Sequence, residues 1–265
     1  MPNIIFIEGV SGAGKSTAAK DLAQKLCAMG LRACCFLEGA ANNPIDFCFT
    51  AYLSCGAYDA LMRQYEASAD AIKAHTVMAG DVRLVRYCDE HKAPLFPEPL
   101  LGELQAHEFC WNPTEWIPFT EYRRVMETVW RAFAQQADAL PDYIIFDGAL
   151  LYHPINDMLH NYNAPLEAMV AHINKLLGEI RALRPMIFYL NPASIRDSLR
   201  HARKTRGDRP VTEAEISRWE DLNHMYQTVM TTLSTPSYVV HIPLGGWETA
   251  FQTMLQAGMR HECSE

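Results

Sequence analysis

A glycine-rich loop between a predicted strand and a predicted helix constrains this chain more than any other feature of its sequence. Residues 2–7 (PNIIFI) form a short, mainly apolar run rich in β-branched side chains, which indicates a buried strand. A helical pattern opens at Ser16 and runs to about Met29, and Gly30 is a common helix stop. The intervening residues 9–16 read GVSGAGKS and match G-x-x-x-x-G-K-[ST]. In this strand–loop–helix context the motif predicts a phosphate-binding site.

The residue types in this loop predict how it binds a nucleoside triphosphate. Glycines let the backbone direct its N–H groups inward around the phosphates without Cβ clashes. Lys15 can reach the β- and γ-phosphates, and Ser16 can hold Mg²⁺ near the positive end of the helix dipole. We therefore predict ATP and Mg²⁺ as cofactors. The predicted cofactor-binding residues are Gly9, Ser11, Gly12, Ala13, Gly14, Lys15, Ser16 and Thr17.

Length, charge and hydropathy narrow the class of protein. The 265 residues suffice for one large domain or two modest ones, and 49% hydrophobic with 20% charged residues is ordinary for a soluble protein. A net charge of −8 argues against binding to nucleic acid polymers or anionic membranes, which requires a basic surface. No apolar run approaches the length of a membrane span, and Met1 leads directly into the first strand, leaving no room for a signal peptide.

The cysteine pattern indicates a reducing compartment. None of the eight cysteines forms a C-x-x-C pair, and together with an ATP-type site this predicts free thiols in a cytoplasmic protein. Cys34-Cys35 lies within a predicted strand, and we interpret the pair as core residues rather than redox groups. The cysteines are Cys27, Cys34, Cys35, Cys48, Cys55, Cys88, Cys110 and Cys263.

Strands and helices alternate on both sides of a long interruption. Further strands are predicted at 31–37, 142–146, 186–190 and 238–242. Amphipathic helices are predicted from about residue 164, at about 213–233 and from about 247. This alternation predicts an α/β fold with a doubly wound, mostly parallel sheet and helices on both faces.

Residues 45–140 break the alternation. Mostly helical segments at 57–79 and 120–136 flank a stretch punctuated by prolines. We predict a single domain over 1–265, in which residues 1–44 and 141–265 form the core. Residues 45–140 are then a helical insertion that can cover the strand ends and the substrate.

Two carboxylates follow predicted strands at the edge where the phosphates would lie. Asp147 ends the strand 142–146, and a carboxylate there can orient Mg²⁺ together with Ser16, although Asp-Gly is also common in simple turns. Glu38 ends the second strand, which we expect beside the first. A carboxylate at that point can accept a proton from an attacking hydroxyl, whereas an exposed loop glutamate has the same sequence pattern.

A basic segment over residues 196–210 stands out in an otherwise acidic chain. It carries five arginines and one lysine, and Arg196, Arg200 and Arg203 share one face of a helix. Guanidinium groups in a closing lid stabilise the charge on a transferring phosphoryl group and exclude water. The position of the segment after the fourth strand favours a lid over a simple solvated face, without deciding which arginine contacts the phosphates.

The acceptor site has weaker signals. Arg83, Arg86 and Arg123 are candidates to meet an anionic or polar acceptor, and Trp111 offers a stacking surface, although each pattern also fits a surface or core residue.

A zinc site on one predicted helix is a further hypothesis. His153, Asp157 and His160 can share a helix face, but Pro154 interrupts the start of that helix and no fourth ligand is evident, so we predict no metal other than Mg²⁺.

Five segments carry a family resemblance. They read IIFIEGVSGAGKST, FLEG, YIIFDG, IFYLNPAS and YVVHI, within about 1–40 and 141–265. The chain resembles the P-loop kinases that act on nucleosides and nucleotides, near thymidylate kinase and the deoxynucleoside kinases. The resemblance implies the P-loop NTPase fold, with a five-stranded parallel sheet and an arginine-bearing lid after the fourth strand. Its implied roles are Lys15 on the phosphates, Ser16 on Mg²⁺, Glu38 as a base, and Arg200, Arg203 or Arg206 in the lid.

The chain departs from that family at two places. Thymidylate kinases usually carry Asp-Arg at the end of the third strand, where this chain has Asp147-Gly148-Ala149, and residues 45–140 match no familiar substrate domain. We expect an ATP- and Mg²⁺-dependent kinase acting on a nucleoside, a nucleotide or a similar small molecule. An antibiotic or other metabolite hydroxyl is the alternative acceptor, and formation of a homodimer stays open.

Two other classes of protein share parts of this pattern. A nucleotide-dependent switch or binding module with slow hydrolysis has the same glycine loop, although the chain has no Asn-Lys-x-Asp motif and no Asp-Glu pair after the Asp147 strand. A sulfotransferase is more distant, since those proteins rarely keep an intact Gly-Lys-Ser loop.

Overall fold

Eight strands and ten α-helices lie within the residues that this computed structural model describes, which are 2–89, 91–111, 113–136, 139–243 and 247–260, without the side chains of 247 and 258–260. The strands are β1 (Asn3–Gly9), β2 (Ala33–Phe36), β3 (Thr50–Ser54), β4 (Thr76–Ala79), β5 (Val82–Arg86), β6 (Tyr143–Asp147), β7 (Pro185–Pro192) and β8 (Ser237–Ile242). The helices are α1 (Lys15–Ala28), α2 (Cys55–Gln64), α3 (Ala69–Ala74), α4 (Leu100–Ala106), α5 (Phe119–Ala134), α6 (Tyr152–Tyr162), α7 (Leu166–Glu179), α8 (Ile195–Arg206), α9 (Glu213–Met230) and α10 (Trp247–Arg260). Within these described ranges, no helix has both the length and the apolar character to span a bilayer.

Five parallel strands form the central sheet in the order β2-β6-β1-β7-β8. All seven residues of β1 are buried, so both faces of the sheet are covered at its centre, as is usual for parallel sheets with helical crossovers. Ile7 pairs with Asp147, and Gly9 pairs with Leu190, so the carboxyl ends of the three central strands meet at one edge. The predicted α/β fold is confirmed. However, β2 lies beside β6 and not beside β1, which corrects our expectation for the second strand.

Aromatic side chains attach α5 to the central sheet. Phe6 on β1 stacks on Trp130 with ring centroids 5.8 Å apart, and Phe133 meets Phe146 edge to face at 5.7 Å. The other side chains on the buried face of α5 are Tyr122, Val125, Met126 and Val129. This face follows from their helical spacing. Although we predicted that the insertion extends to residue 140, α5 is a layer of the core fold.

The insertion is a mixed α/β unit, and the prediction that it is helical was wrong for its central part. The strands β3, β5 and β4 form an antiparallel sheet in that order. The predicted helix over 57–79 fails because the chain enters β4 at Thr76 and turns back through Gly80-Asp81, where Gly80 has φ +67°. A Gly-Asp pair between two short strands is a hairpin signal, but the helical spacing of the preceding apolar residues concealed it.

The insertion packs in two places. Leu53, Val85 and Leu104 belong to a small hydrophobic cluster of its own, whereas Phe47 and Phe109 belong to the main core with the central sheet. Within the insertion, the Phe109 N–H donates a 2.8 Å hydrogen bond to the carbonyl oxygen of Thr50, which joins the two segments that contain Phe47 and Phe109. The insertion therefore brings its residues 47–50 and 109–111 close to the central sheet.

Candidate active site

The glycine loop has a backbone conformation that favours glycine. Gly12 and Gly14 have φ +79° and +90°, in the left-handed region that other residues rarely adopt, and Gly14 directly precedes α1. A Cβ atom on Gly12 would lie 2.9 Å from the backbone oxygen of Ser198 on α8. The glycines thus allow two things at once. They expose N–H groups at the start of α1 to an anion, and they let α8 approach the loop closely.

Lys15 and Ser16 occupy the first turn of α1, next to the end of β6. Lys15 Nζ donates a 3.3 Å hydrogen bond to the carbonyl oxygen of Val10 and lies 4.2 Å from the ring centroid of Tyr152. Ser16 Oγ donates a 2.5 Å hydrogen bond to Oδ2 of Asp147. The structure therefore brings together the three residues for which we predicted phosphate and Mg²⁺ contacts.

The surroundings of Asp147 fit a magnesium ion. Its side chain is fully buried, and Oδ1 has no hydrogen-bond partner among the described residues. Burial raises the pKa of Asp147, while Lys15 and the Ser16 hydroxyl act to lower it. A buried carboxylate oxygen beside a serine hydroxyl suits Mg²⁺, which takes oxygen ligands and keeps several waters. Asp147 and Ser16 are thus the residues that would hold the ion.

Glu38 lies at the same edge of the sheet, half-buried, just after β2. The Glu38 carboxylate raises the pKa of Asp147, and the Glu38 backbone N–H lowers it. Burial raises the pKa of Tyr152, and the charge of the Glu38 carboxylate raises it further. The neighbouring N–H of Gly39 donates a 2.7 Å hydrogen bond to Oδ2 of Asp46 and so fixes the turn. Because β2 adjoins β6, Glu38 comes close to Asp147 even though our expectation for the strand order was wrong.

A cavity of about 340 Å³ opens beside the glycine loop; we call it the aromatic cavity. Trp111 and Trp219 line it, and the ring of Trp219 stacks on Tyr152 with centroids 5.7 Å apart and an angle of 11° between the planes. Tyr152 is also the ring that faces Lys15, so the cavity adjoins the loop. The polar groups in the lining include Asn156, Asp157, His160 and Asn161. Stacking surface combined with a few polar groups is typical of small-molecule sites.

The predicted lid arginines lie on α8, near the loop, and pair with carboxylates. Arg203 also lines the aromatic cavity. The pairs are Arg200–Glu213 at 3.5 Å, Arg203–Glu215 at 3.1 Å, Arg203–Asp208 at 3.6 Å and Arg206–Asp208 at 3.1 Å. These arginines can reach a phosphate only by exchanging such partners, which are partly exposed and individually weak.

The other acceptor candidates are dispersed. Arg83 donates hydrogen bonds to the backbone oxygens of Gly80 and Val82 at the hairpin turn, and Arg123 lies over the ring of Phe119 at 5.6 Å. Neither of these arginines lines the aromatic cavity, whereas Trp111 does.

Arg86 is the third arginine of that group, and it is buried. Its guanidinium donates to the carbonyl oxygen of Asn43 and lies 4.9 Å from the ring centroid of Phe47. It therefore holds the segment that follows Glu38 and is not part of the cavity lining.

Sequence reasoning missed several residues of the site. Trp219, Asn156 and Asn161 gave no local signal, because each is an ordinary helix residue until the chain folds. Glu8 had a signal, since it is the one acidic residue in an apolar strand. It is fully buried and accepts hydrogen bonds from the N–H groups of Leu150 at 2.7 Å and Tyr152 at 3.0 Å. Glu8 thus fixes the segment between Asp147 and the cavity.

Glu8 should make stability depend on pH. Burial raises the pKa of Glu8 from 4.5 to about 7, although its hydrogen bonds and Lys15 oppose the shift. The unfolded chain releases this proton at lower pH than the folded chain, so the folded state loses stability as the pH rises from about 4.5 to about 7. We expect the free energy of unfolding to fall by about 3 kcal/mol more in the parent than in Glu8→Gln between pH 4.5 and 8, in urea titrations.

Comparing how steeply the free energy of unfolding changes with pH separates the effect of the Glu8 pKa from any change in stability that is the same at every pH. Glutamine at position 8 loses one of the two accepted hydrogen bonds at every pH. This loss lowers the free energy of unfolding by a constant amount and does not change its dependence on pH. Glu66→Gln, at an exposed glutamate of the insertion, is the matched control and should keep the slope of the parent. If the free energy of unfolding of Glu8→Gln and of the parent changes equally with pH, the raised pKa of Glu8 is contradicted.

No protein-family model and no curated protein sequence matches this chain. Solved structures that are similar to it over nearly their whole length include the following two. One is the YorR protein from Bacillus subtilis in complex with phosphorylated GDP, with 13% identity, 98% of both chains covered and a TM-score of 0.47. The other is a deoxyadenosine kinase from M. mycoides with bound dATP, with 18% identity, 96% of this chain and 98% of the other covered, and a TM-score of 0.43.

The geometry of the chain itself identifies its fold. A five-stranded parallel sheet has the glycine loop after its central strand, and the arginine-bearing helix α8 follows β7, the fourth strand of that sheet. These are the features that the resemblance to the nucleoside and nucleotide kinases implied. The chain has a doubly wound P-loop NTPase fold.

Proposed function

We propose that the protein is an ATP- and Mg²⁺-dependent kinase that phosphorylates a small molecule bound in the aromatic cavity. One arrangement carries this proposal. Ser16 and Asp147 meet under the glycine loop, and Lys15 lies between that loop and Tyr152 in the cavity wall. A phosphate-binding loop and a small-molecule cavity that share a wall are what direct transfer between two bound substrates requires.

The lining of the cavity favours a nucleoside or nucleotide as the acceptor. The Trp219 and Trp111 rings can stack on a planar base, and the amides of Asn156 and Asn161 can hydrogen-bond to its edge. A metabolite hydroxyl of another class, as in an antibiotic, is the alternative. It would use the same polar groups but gain less from the two tryptophans.

The chemistry follows from the positions of these groups. The loop N–H groups and Lys15 hold the triphosphate. Ser16 and Asp147 would hold Mg²⁺, which would neutralise negative charge on the triphosphate. An acceptor hydroxyl attacks the γ-phosphorus, the bond from that phosphorus to the bridging oxygen breaks, and ADP leaves. Glu38 takes the proton of the hydroxyl. The α8 arginines leave their carboxylate partners to contact the transferring group, and α8 closes over the loop.

The test is acceptor-dependent ADP formation. Purified protein with ATP and Mg²⁺ is supplied with pools of nucleosides, nucleotides or hydroxyl-bearing metabolites, and a stimulating pool is then divided until one compound remains. We expect a nucleoside or nucleotide pool to stimulate ADP formation. ATP binding without stimulation by any pool would overturn the kinase assignment in favour of a nucleotide-dependent switch.

Tryptophan fluorescence provides a direct measure of acceptor binding. Stacking of a base on Trp219 or Trp111 should quench the emission of the protein. Trp219→Phe should lose most of that quenching, whereas Trp116→Phe, at an exposed tryptophan outside the cavity, should keep it. Equal quenching in both variants would exclude stacking of the acceptor on Trp219.

A further inference from the structure

A buried ion pair joins the insertion to the core beside the candidate active site. Nε2 of His153, near the start of α6, lies 3.4 Å from Oδ2 of Asp46. Asp46 is only 4% exposed and His153 only 7%, so water screens neither charge. Nδ1 of the same ring lies 3.5 Å from Sγ of Cys48. The partners of His153 therefore come from the insertion, whereas the sequence suggested partners on its own helix.

Each member of this pair keeps the other ionised. Burial acts to raise the pKa of Asp46, but the charge of His153 and two backbone N–H groups hold it below its usual value. Burial acts to lower the pKa of His153, but the charge of Asp46 raises it well above its usual value. At neutral pH the pair is thus a buried carboxylate beside a buried imidazolium.

Stability alone gives no reason for such a pair. The cost of removing two charges from water can exceed their mutual attraction, and apolar residues of similar volume are often equally stable. A buried pair does restrict geometry, because neither charge can move away without leaving the other unpaired in a dry environment. The Asp46–His153 pair therefore points to a geometry that the protein needs at this place.

Asp46 also holds the turn that carries Glu38. Its Oδ2 atom accepts a 2.7 Å hydrogen bond from the N–H group of Gly39, which directly follows Glu38. The same oxygen faces His153. Oδ1 accepts a 3.2 Å hydrogen bond from the N–H group of Cys48, which fixes the orientation of the carboxylate. One oxygen atom of Asp46 thus connects the turn at Glu38 to α6.

The other end of this connection reaches the wall between the two proposed substrate sites. Tyr152 precedes His153 in α6 and lines the aromatic cavity. Its ring centroid lies 4.2 Å from Nζ of Lys15. The ion pair therefore joins the turn at Glu38 to the helix that faces the lysine of the glycine loop.

We propose that the Asp46–His153 ion pair positions Glu38 to act as the base in phosphoryl transfer. This inference rests on the proposed function, in which Glu38 takes a proton from a hydroxyl acceptor. Asp46 is not part of the described lining of the aromatic cavity, so it acts through the turn that it holds. Misplacement of a reacting group by about 1 Å can cost about 100-fold in rate, so a fixed turn matters for turnover.

Replacing Asp46 with asparagine tests this positioning role. Asparagine keeps the size of the side chain but removes the charge that pairs with His153. We expect kcat with a hydroxyl acceptor, at saturating ATP and acceptor, to fall about 10- to 100-fold, while ATP affinity changes by less than about twofold. A folded Asp46→Asn protein with the kcat of the parent would overturn the proposal and leave the kinase function intact. A parent without acceptor-dependent ADP formation would instead overturn the proposed function.

Asp142→Asn is the matched control. Asp142 also accepts a backbone N–H, from Arg32 at 3.1 Å, and pairs with the side chain of that arginine at 2.7 Å. It lies just before β6, at the end of this strand remote from Asp147. The control therefore breaks a comparable contact away from the candidate active site, and we expect it to turn over like the parent.

A double-mutant cycle decides whether Asp46 acts through Glu38. In Glu38→Gln the base is already absent, so adding Asp46→Asn should lower kcat by less than about twofold. An independent effect on folding or on ATP binding would multiply with the loss in Glu38→Gln. A further loss of about 10-fold or more in the double variant would therefore overturn the positioning role.

His153→Gln takes the place of Asp46→Asn in the cycle if the latter does not fold. Glutamine removes the imidazolium charge but keeps an N–H donor that can face Asp46. Saturating acceptor separates its effect on kcat from any change in binding, because His153 also lines the aromatic cavity. We expect a lower kcat in the parent background and no further loss in Glu38→Gln. Equal losses in both backgrounds would contradict the proposal.

Discussion

Replacing Lys15 with alanine should reduce acceptor phosphorylation about 10³-fold while the protein remains folded. The Lys15 ammonium is held between the carbonyl oxygen of Val10 and the ring of Tyr152, where the loop and the aromatic cavity meet. In the proposed reaction this is the fixed positive charge that meets the β- and γ-phosphate oxygens as negative charge spreads over them. Alanine removes the charge and leaves the loop glycines unchanged. Acceptor-dependent ADP formation at saturating ATP measures the loss.

The matched control is another lysine on the same helix. Lys20 also lies on α1 but is exposed, so Lys20→Ala removes one charge from the helix without altering the loop. We expect this variant to turn over at about the parent rate, and both variants to show cooperative thermal unfolding. Parent-like turnover in folded Lys15→Ala would remove the glycine loop from the reaction and with it the proposed kinase function.

The parts of this fold that the sequence predicts are those with local causes. The glycine loop is recognisable because its requirements all fall within the eight residues 9–16. The turn and the close approach of α8 require glycine, and the start of α1 requires specific residues. Asp147 is predictable for a related reason, because a carboxylate at the end of a buried apolar strand needs a cation or hydrogen-bond donors to offset its burial. The apolar face of α5 follows from helical spacing alone.

The parts that failed depend on contacts between distant segments. The hairpin at Gly80-Asp81 is stabilised by pairing of β5 with β3 as well as β4, and that pairing overrides a local helical pattern. The order β2-β6-β1 likewise depends on how the crossovers pack, which spacing along the chain does not reveal.

The aromatic cavity and the contact between Cys48 and His153 are the clearest examples of this limit. Trp111 belongs to the insertion and Trp219 belongs to α9, so no window of the sequence contains both. Cys48 and His153 meet across 105 residues. Chemistry that is assembled from separate elements becomes visible only when the burial and distances of the folded chain are known.

Replacing Glu38 with glutamine should lower turnover about 10²- to 10³-fold with a hydroxyl acceptor, while ATP affinity changes by less than about twofold. Glu38 lies at the edge where β2 and β6 end, close enough to Asp147 and Tyr152 for its charge to act on both. Glutamine keeps the size of the side chain but cannot accept the proton of the attacking hydroxyl. Initial rates at saturating acceptor and ATP separate this loss from any change in binding.

Two further variants distinguish a base from a structural residue. Glu38→Asp keeps a carboxylate and should recover part of the lost rate, whereas a purely packing role would be harmed by the shorter side chain as much as by the amide. Glu66→Gln, at an exposed glutamate of the insertion, should turn over like the parent. If Glu38→Gln is as fast as Glu66→Gln, the acceptor needs no base from this position. A phosphate oxygen of a nucleotide, which is already ionised, would then be a better acceptor than a hydroxyl, and the same loop, Mg²⁺ residues and cavity would catalyse its phosphorylation by positioning alone.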